Sequence, residues 1–417
     1  MEQRTAKGPG SASRFETLDA LRGVCALAVA FFHMPFAHPL HGAPRFDNVQ
    51  FCVDVFFVLS GFVLLHGYGG RLASPRQALR FMLARFGRLW PLHAATLGLL
   101  VALEAARLVY LTGHPGTPVV TPPFGAAHRP VEVLTHLLFL QDFLTFGEFS
   151  WNFPSWSIAV EFYASLALAC TVMLAGPRAR WTFAGLALLA ALALHAASPG
   201  TLFAIQDWGI LRCLFDLFVG CLAYCLRDAA RVPDRWAGRA EALALALLLA
   251  VATLVPPGDW AYGAPLVFGA AIALFSHGRG TVSAAARHGL PQTLGRWSFS
   301  IYLLHLPVLQ VVLTGLHYAV PRSAGLAPDA GVDLGGSLVN LAAALGIVGA
   351  ATLLAGLSYR LVEQPARARF RMSDPRTRTG RTGRVSQIEK ASPPPACGDW
   401  SPIGQYFWSR AVLRRPE

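Results

Sequence analysis

Five short stretches of this chain carry ionisable side chains inside apolar runs, where each is expensive: an arginine at the centre of a membrane helix costs about 3 kcal/mol on an insertion scale. In 18–34, "LDALRGVCALAVAFFHM", Arg22 and His33 lie eleven residues apart. At about 100° per residue this places both on one helix face, about 16 Å apart along the axis. Asp19 precedes Arg22 by one turn and can orient it. This is either a polar seam leading inward to a base, or a snorkelling arginine and a hydrogen-bonded core histidine. In 76–93, "RQALRFMLARFGRLWPLH", Arg85 and Arg88 share a face. Such a pair can grip a phosphate or anchor the chain at lipid headgroups.

The remaining stretches supply acids and a second histidine. In 151–163, "WNFPSWSIAVEFY", Pro154 opens a helix that Ser155 can cap, Trp156 follows, and Ser157 and Glu161 are one turn apart. Glu161 stands alone in an apolar run, so it must be neutralised, paired or in a water-filled cavity. His33 is a chemically sensible partner, since a carboxylate can orient an imidazole and raise its basicity. In 295–307, "GRWSFSIYLLHLP", Tyr302 and His305 are one turn apart and either line the same cavity or pack by hydrogen bonding. In 51–62, "FCVDVFFVLSGF", Asp54 either faces the non-cytoplasmic mouth or serves as an acid favoured at a helix N-terminus. Ser60 and Gly61 in this stretch allow close helix approach.

The elements that hold these residues are membrane helices. The chain is 54% hydrophobic and only 14% charged, against about 25% charged residues in a soluble domain. Windows such as 240–255, "AEALALALLLAVATLV", lack the polar face of a soluble amphipathic helix. The expected fold is all-α and polytopic, with ten spans at 18–37, 49–69, 89–111, 155–175, 181–197, 208–226, 240–256, 261–277, 297–318 and 337–361. A further piece, 133–146, is short and interrupted by polar residues and reads as re-entrant or interfacial.

Arginines cluster in alternate loops, which places both termini in the cytoplasm. The net charge of +12 is then mostly topology and needs no nucleic-acid partner. Residues 1–16 form a cytoplasmic N-terminal segment without a cleavable leader pattern. Residues 17–371 form the membrane domain, and the polar, basic tail 372–417 reads as disordered. Cys25, Cys52, Cys170, Cys213, Cys221 and Cys225 lie in or beside apolar runs and suit small buried side chains better than a disulfide frame. No metal site is expected, because Cys221 and Cys225, one turn apart, have no histidine nearby in sequence.

Taken together, "LDALRG" with His33, "FFVLSGF", Arg85 and Arg88 before "LWP", "WSIAVEFY", "SIYLLHLP" and "YRLVEQPAR" (359–367) resemble the acyltransferase-3 family of integral membrane O-acyltransferases. These motifs occur in order over residues 18–367. The resemblance implies about ten helices in the cytoplasmic (inner) membrane. It also implies transfer of an acyl group, usually acetyl, from cytoplasmic acyl-CoA to a hydroxyl of an exported or cell-surface carbohydrate, with no bound cofactor. It makes His33 essential, assigns Arg22, Arg85 and Arg88 to the CoA phosphates, and places Glu161 in the family core. His93 departs from the family, which often has Tyr there. Many relatives carry an esterase-like C-terminal domain; this chain ends too soon for one, so a second-stage acyl carrier would be a separate protein.

These expectations combine into a mechanism. The arginines hold the phosphates, the pantetheine arm follows the seam, and His33 acts as general base with Glu161 orienting it. The supporting residues are Asp19, Asp54, Trp156, Ser157, Tyr302 and His305. The rival reading is a transporter or flippase that uses the same seam for a glycan or lipid-linked precursor. A membrane glycosyltransferase ranks lower, because the first outer loop offers only Asp47 and no paired carboxylates.

Overall fold

The computed structural model describes residues 14–40, 46–117, 119, 121–144, 150–205, 207–256, 258–319 and 332–370. Most of the N-terminal segment, the tail 372–417 and the loop arginines Arg45 and Arg322 lie outside the described residues.

The described chain is helical, with one isolated backbone bridge, Phe36 to Val332. The helices are α1 (Glu16–Phe32), α2 (Phe51–Tyr68), α3 (Pro75–Gly113), α4 (Pro130–Leu137), α5 (Trp156–Ala175), α6 (Ala179–Ala197), α7 (Gly209–Cys225), α8 (Asp234–Leu254), α9 (Ala264–Phe275), α10 (Thr281–Ala286), α11 (Gly289–Ala319), α12 (Ser337–Ser358) and α13 (Gln364–Arg369). Among them α2, α3, α5, α6, α8, α11 and α12 are long and apolar enough to cross a membrane. The shorter α1, α7 and α9 occupy the other three expected positions, and the chain is a helical polytopic membrane protein. Its outer surface carries leucines that a soluble protein would bury, such as Leu189, Leu243 and Leu353. Exposed Trp181, Trp208, Trp236 and Trp260 sit at or near helix starts, the usual place for interfacial aromatics.

Three boundaries differ from the sequence expectation. First, α1 stops at Phe32 with His33 as its C-cap, because Pro35 disfavours helical backbone in the residue before it and has no N–H to donate. Second, α3 is one continuous helix of 39 residues with Pro91 inside it. The basic stretch before position 89 is therefore its first third, and its total length is about 58 Å. Third, 133–146 contributes only part of the eight-residue α4 before the chain turns. Such a helix, about 12 Å long, cannot cross a bilayer.

Two close helix contacts fix the site's frame. The pair α1 and α11 meets at Gly23 and Gly295, where an added Cβ would strike the partner's backbone at Leu294 or Asp19. The pair α2 and α7 meets at Gly61 and Gly220, where a Cβ would strike the carbonyls of Leu217 or Val58. Small residues let membrane helices approach this closely. The core then fills between α2, α5, α6, α7 and α9 with side chains such as Phe57, Phe62, Leu168, Phe183 and Leu217. Of the six cysteines expected to act as small buried side chains, Cys225 is disulfide-bonded and five are free thiols, of which Cys170 is exposed on α5. Cys225 is the last residue of α7 and packs, partly buried, against the core.

Candidate active site

Glu161 sits between two other helices. Arg85 on α3 donates from Nη2 to its Oε1 at 2.5 Å, and Ser60 on α2 donates its hydroxyl to the same oxygen at 2.6 Å. The Arg85 and Glu161 side chains are only 4% and 18% exposed. The expected pairing of Glu161 with His33 is therefore not made. Glu161 lies within α5 at the level of Arg85, whereas His33 is at the far end of α1. Nor is Arg85 a surface anchor, because a buried charge must be paired and Glu161 pairs it.

Arg22 and Arg88 differ from Arg85. Neither has a hydrogen bond or ion pair among the described residues, and Nε of Arg88 is buried without a partner. Each charge acts repulsively on the other. Asp19, expected to orient Arg22, accepts instead from Nε of Arg14 at 2.5 Å. Both arginines line one cavity, together with Ser60, Ser157, Glu161, Tyr302 and apolar side chains including Phe56, Phe57 and Leu89. Beside it, Ser300 donates to Oε2 of buried Glu363 at 2.8 Å. The other oxygen of Glu363 pairs with Arg367. Four guanidinium groups (Arg22, Arg85, Arg88 and Arg367) therefore face two carboxylates (Glu161 and Glu363), leaving two positive charges uncompensated.

The cavity ends at Tyr302. Its hydroxyl donates to the Pro154 carbonyl at 2.9 Å and lies 2.8 Å from the Ser157 hydroxyl. One turn further along α11, His305 is fully buried. Its Nε2 is 3.0 Å from Nδ1 of His33, and the rings stack with centroids 5.0 Å apart at 17°. His33 is half-buried, with Phe32 and Phe153 against its ring. His33 is not part of the cavity lining; Tyr302, which is, has its ring centroid 5.9 Å from that of His305.

Asp54 neither faces the mouth nor simply complements a helix dipole. It is fully buried and accepts two hydrogen bonds from Arg212 on α7, at 2.7 and 2.8 Å. The guanidinium also donates to the Gln50 carbonyl and lies over the rings of Trp156 and Phe203. Trp156 thus packs against this ion pair and not in the cavity lining. His93 donates from Nε2 to the carbonyl of His136 at 2.9 Å, fastening α3 to the end of α4.

Reading the sequence left out Ser60, Arg212, Glu363 and Arg367 as site residues. Each had a signal. Ser60 precedes the close-packing Gly61, and Arg212 is a charge inside an apolar run that needs a partner. Glu363 and Arg367 are one turn apart in the last motif, and Tyr359–Glu363 forms a π-helical turn, a deviation frequent at functional sites.

The polytopic helical bundle thus holds an arginine-lined cavity and a half-buried histidine hydrogen-bonded to a fully buried one. The family described as "Acyltransferase domain" (acyltransferase-3) matches residues 15–360, and the chain belongs to that family. It is similar to Acyltransferase MdmB of Streptomyces mycarofaciens, 26% identical over 391 residues, 86% of this chain and 92% of that protein. It is also similar to Protein 2 in picA locus of Rhizobium radiobacter, 34% identical over 167 residues, 37% of this chain and 81% of that protein. No solved structure matches it. The chain is thus a multi-pass membrane acyltransferase of the kind that transfers groups other than aminoacyl groups.

Proposed function

We propose that the enzyme moves an acyl group, acetyl in the simplest case, from cytoplasmic acyl-CoA to a hydroxyl of an exported or cell-surface carbohydrate, acting from the cytoplasmic (inner) membrane. The observation that carries this reading is the pair of unpartnered guanidiniums, Arg22 and Arg88, in one cavity. An uncompensated, partly buried cation pair calls for an anion, and arginines bind phosphate through paired, charge-assisted hydrogen bonds. The sequence places this end of the bundle at the cytoplasm, where acyl-CoA is found.

His33 is the base. To accept a proton on Nε2 it must carry its own proton on Nδ1, and His305 Nε2 stands where it can accept that hydrogen bond. The acceptor hydroxyl gives its proton to His33 Nε2 while its oxygen attacks the thioester carbonyl carbon. The C–S bond then breaks, the ester forms, and the imidazolium returns the proton to the CoA thiolate. Glu161, held by Arg85 and Ser60, shapes the cavity wall and acts on the cation field and not on His33 directly. The thioester reaches His33 only past Tyr302 and Ser157, so this pair must part during the cycle. No second-stage carrier is needed for the chemistry, although a separate protein can take the acyl group onward.

The membership in an acyltransferase family argues against the transporter reading. The test uses purified protein with radiolabelled acetyl-CoA and a glycan acceptor. CoA release that depends on acceptor, with label in the glycan, supports the proposal. Substrate counterflow without CoA consumption refutes it. Comparing the surface glycans of a deletion strain and its parent by mass spectrometry then identifies the acceptor and the acyl group.

A further inference from the structure

Resting on that reading, we infer that Arg367 is a third donor-binding residue and takes the 3′-phosphate of CoA beside the cavity's Arg88. It lies past residue 360, where the family match ends. The side chain is 34% exposed, and its Nε is buried without a hydrogen-bond partner. It feels the charges of both Arg88 and Arg22. Glu363 holds its other side and is itself fixed by Ser300.

The position is built and not incidental. Helix α13, which carries Arg367, packs on α3. Phe370 at its end sits against Gly87, where any Cβ would collide with the phenyl ring. Gly87 immediately precedes Arg88, so the same contact that seats α13 sets Arg367 beside the cavity's own arginine. The order of groups along CoA matches. The thioester arm points inward, the diphosphate follows at Arg22 and Arg88, and the ribose 3′-phosphate is outermost, where Arg367 stands outside the cavity lining within reach of their charges.

The experiment measures equilibrium binding of CoA and of 3′-dephospho-CoA to the full chain in nanodiscs of zwitterionic lipid. The wild type should prefer CoA by about tenfold or more, the worth of a hydrogen bond to a charged group. Arg367→Ala should erase the preference while leaving dephospho-CoA binding unchanged, whereas Arg88→Ala should weaken both ligands. Removing Arg367 strips Glu363 of its partner, so Arg367→Lys is the variant that keeps the fold. It retains a charge beside Glu363 but lacks the planar fork, and should lose most of the preference. If both variants keep the full preference for CoA, the inference is wrong while the acyl-CoA reading stands. If the wild type binds neither nucleotide, the acyl-CoA reading itself fails. Adding phosphatidylglycerol to the discs should leave the preference intact. Loss of it there, with Arg367 variants altered only in anionic discs, would make Arg367 a lipid-headgroup contact and overturn the inference.

Discussion

His305 and His33 stand 272 residues apart in the chain and meet through one nitrogen–nitrogen hydrogen bond of 3.0 Å between stacked rings. Two imidazoles joined this way share one proton, and its side decides the tautomer of the outer ring. His305 is fully buried, so it is a positioning residue whose effect on the reaction passes through His33.

Loss of that hydrogen bond should therefore appear in turnover. His305→Ala should lower kcat by about tenfold or more, a part of what a general base contributes, with the acyl-CoA requirement nearly unchanged. His305→Gln, whose amide oxygen can accept from Nδ1, should recover part of the loss. Steady-state CoA release with saturating acceptor measures both variants; an equal rise in the acyl-CoA requirement for both would point to a packing role only.

The two arginines of the Arg-x-x-Arg pair should separate cleanly. Arg85→Ala leaves Glu161 buried and unpaired, a loss of about 3–5 kcal/mol, and should lower the melting temperature in detergent. Arg88→Ala removes a cation that has no partner and should leave the melting temperature unchanged or higher while raising the acyl-CoA needed for half-maximal rate. Identical behaviour of the two variants would contradict the site geometry.

The Asp54–Arg212 pair should prove structural. Either single variant, Asp54→Leu or Arg212→Met, strands a buried charge and should destabilise by about 3–5 kcal/mol. The double variant should recover most of that stability. A thermal melt series over the four proteins gives the coupling; simple additivity would mean that the two charges do not depend on each other.

Helix spacing can be tested independently of charge. Gly23→Leu drives a side chain into the backbone of α11 at Leu294 and Gly295, and so parts the helices that carry His33 and His305. Folded protein with lost turnover is the expected result, read by size-exclusion profile and CoA release. Wild-type turnover would show that the α1–α11 contact does not position the histidines.

Much of this was readable from the residues. Apolar run lengths located the seven helices long and apolar enough to cross a membrane, because a bilayer imposes a length on each span. An isolated Glu161 demanded a partner, and Arg85 and Ser60 supply it. Partners themselves were not readable, because pairing across helices depends on relative depth and rotation, which come from packing. Thus Glu161 went to Arg85 and not His33, and Asp54 to Arg212 and not the mouth. The end of α1 was misplaced although Pro35 marked it. The continuity of α3 through Pro91 depends on neighbouring helices that a local reading does not include.

The central claim is that His33 takes the acceptor's proton at one end of a path whose other end binds the donor's phosphates. The most direct measurement is acceptor-dependent CoA release by His33→Ala, paired with its CoA binding and melting temperature. The account predicts turnover reduced by about 10²-fold or more, the low end for general base catalysis, with CoA binding and stability preserved. Turnover at the wild-type rate in a folded His33→Ala protein would contradict it.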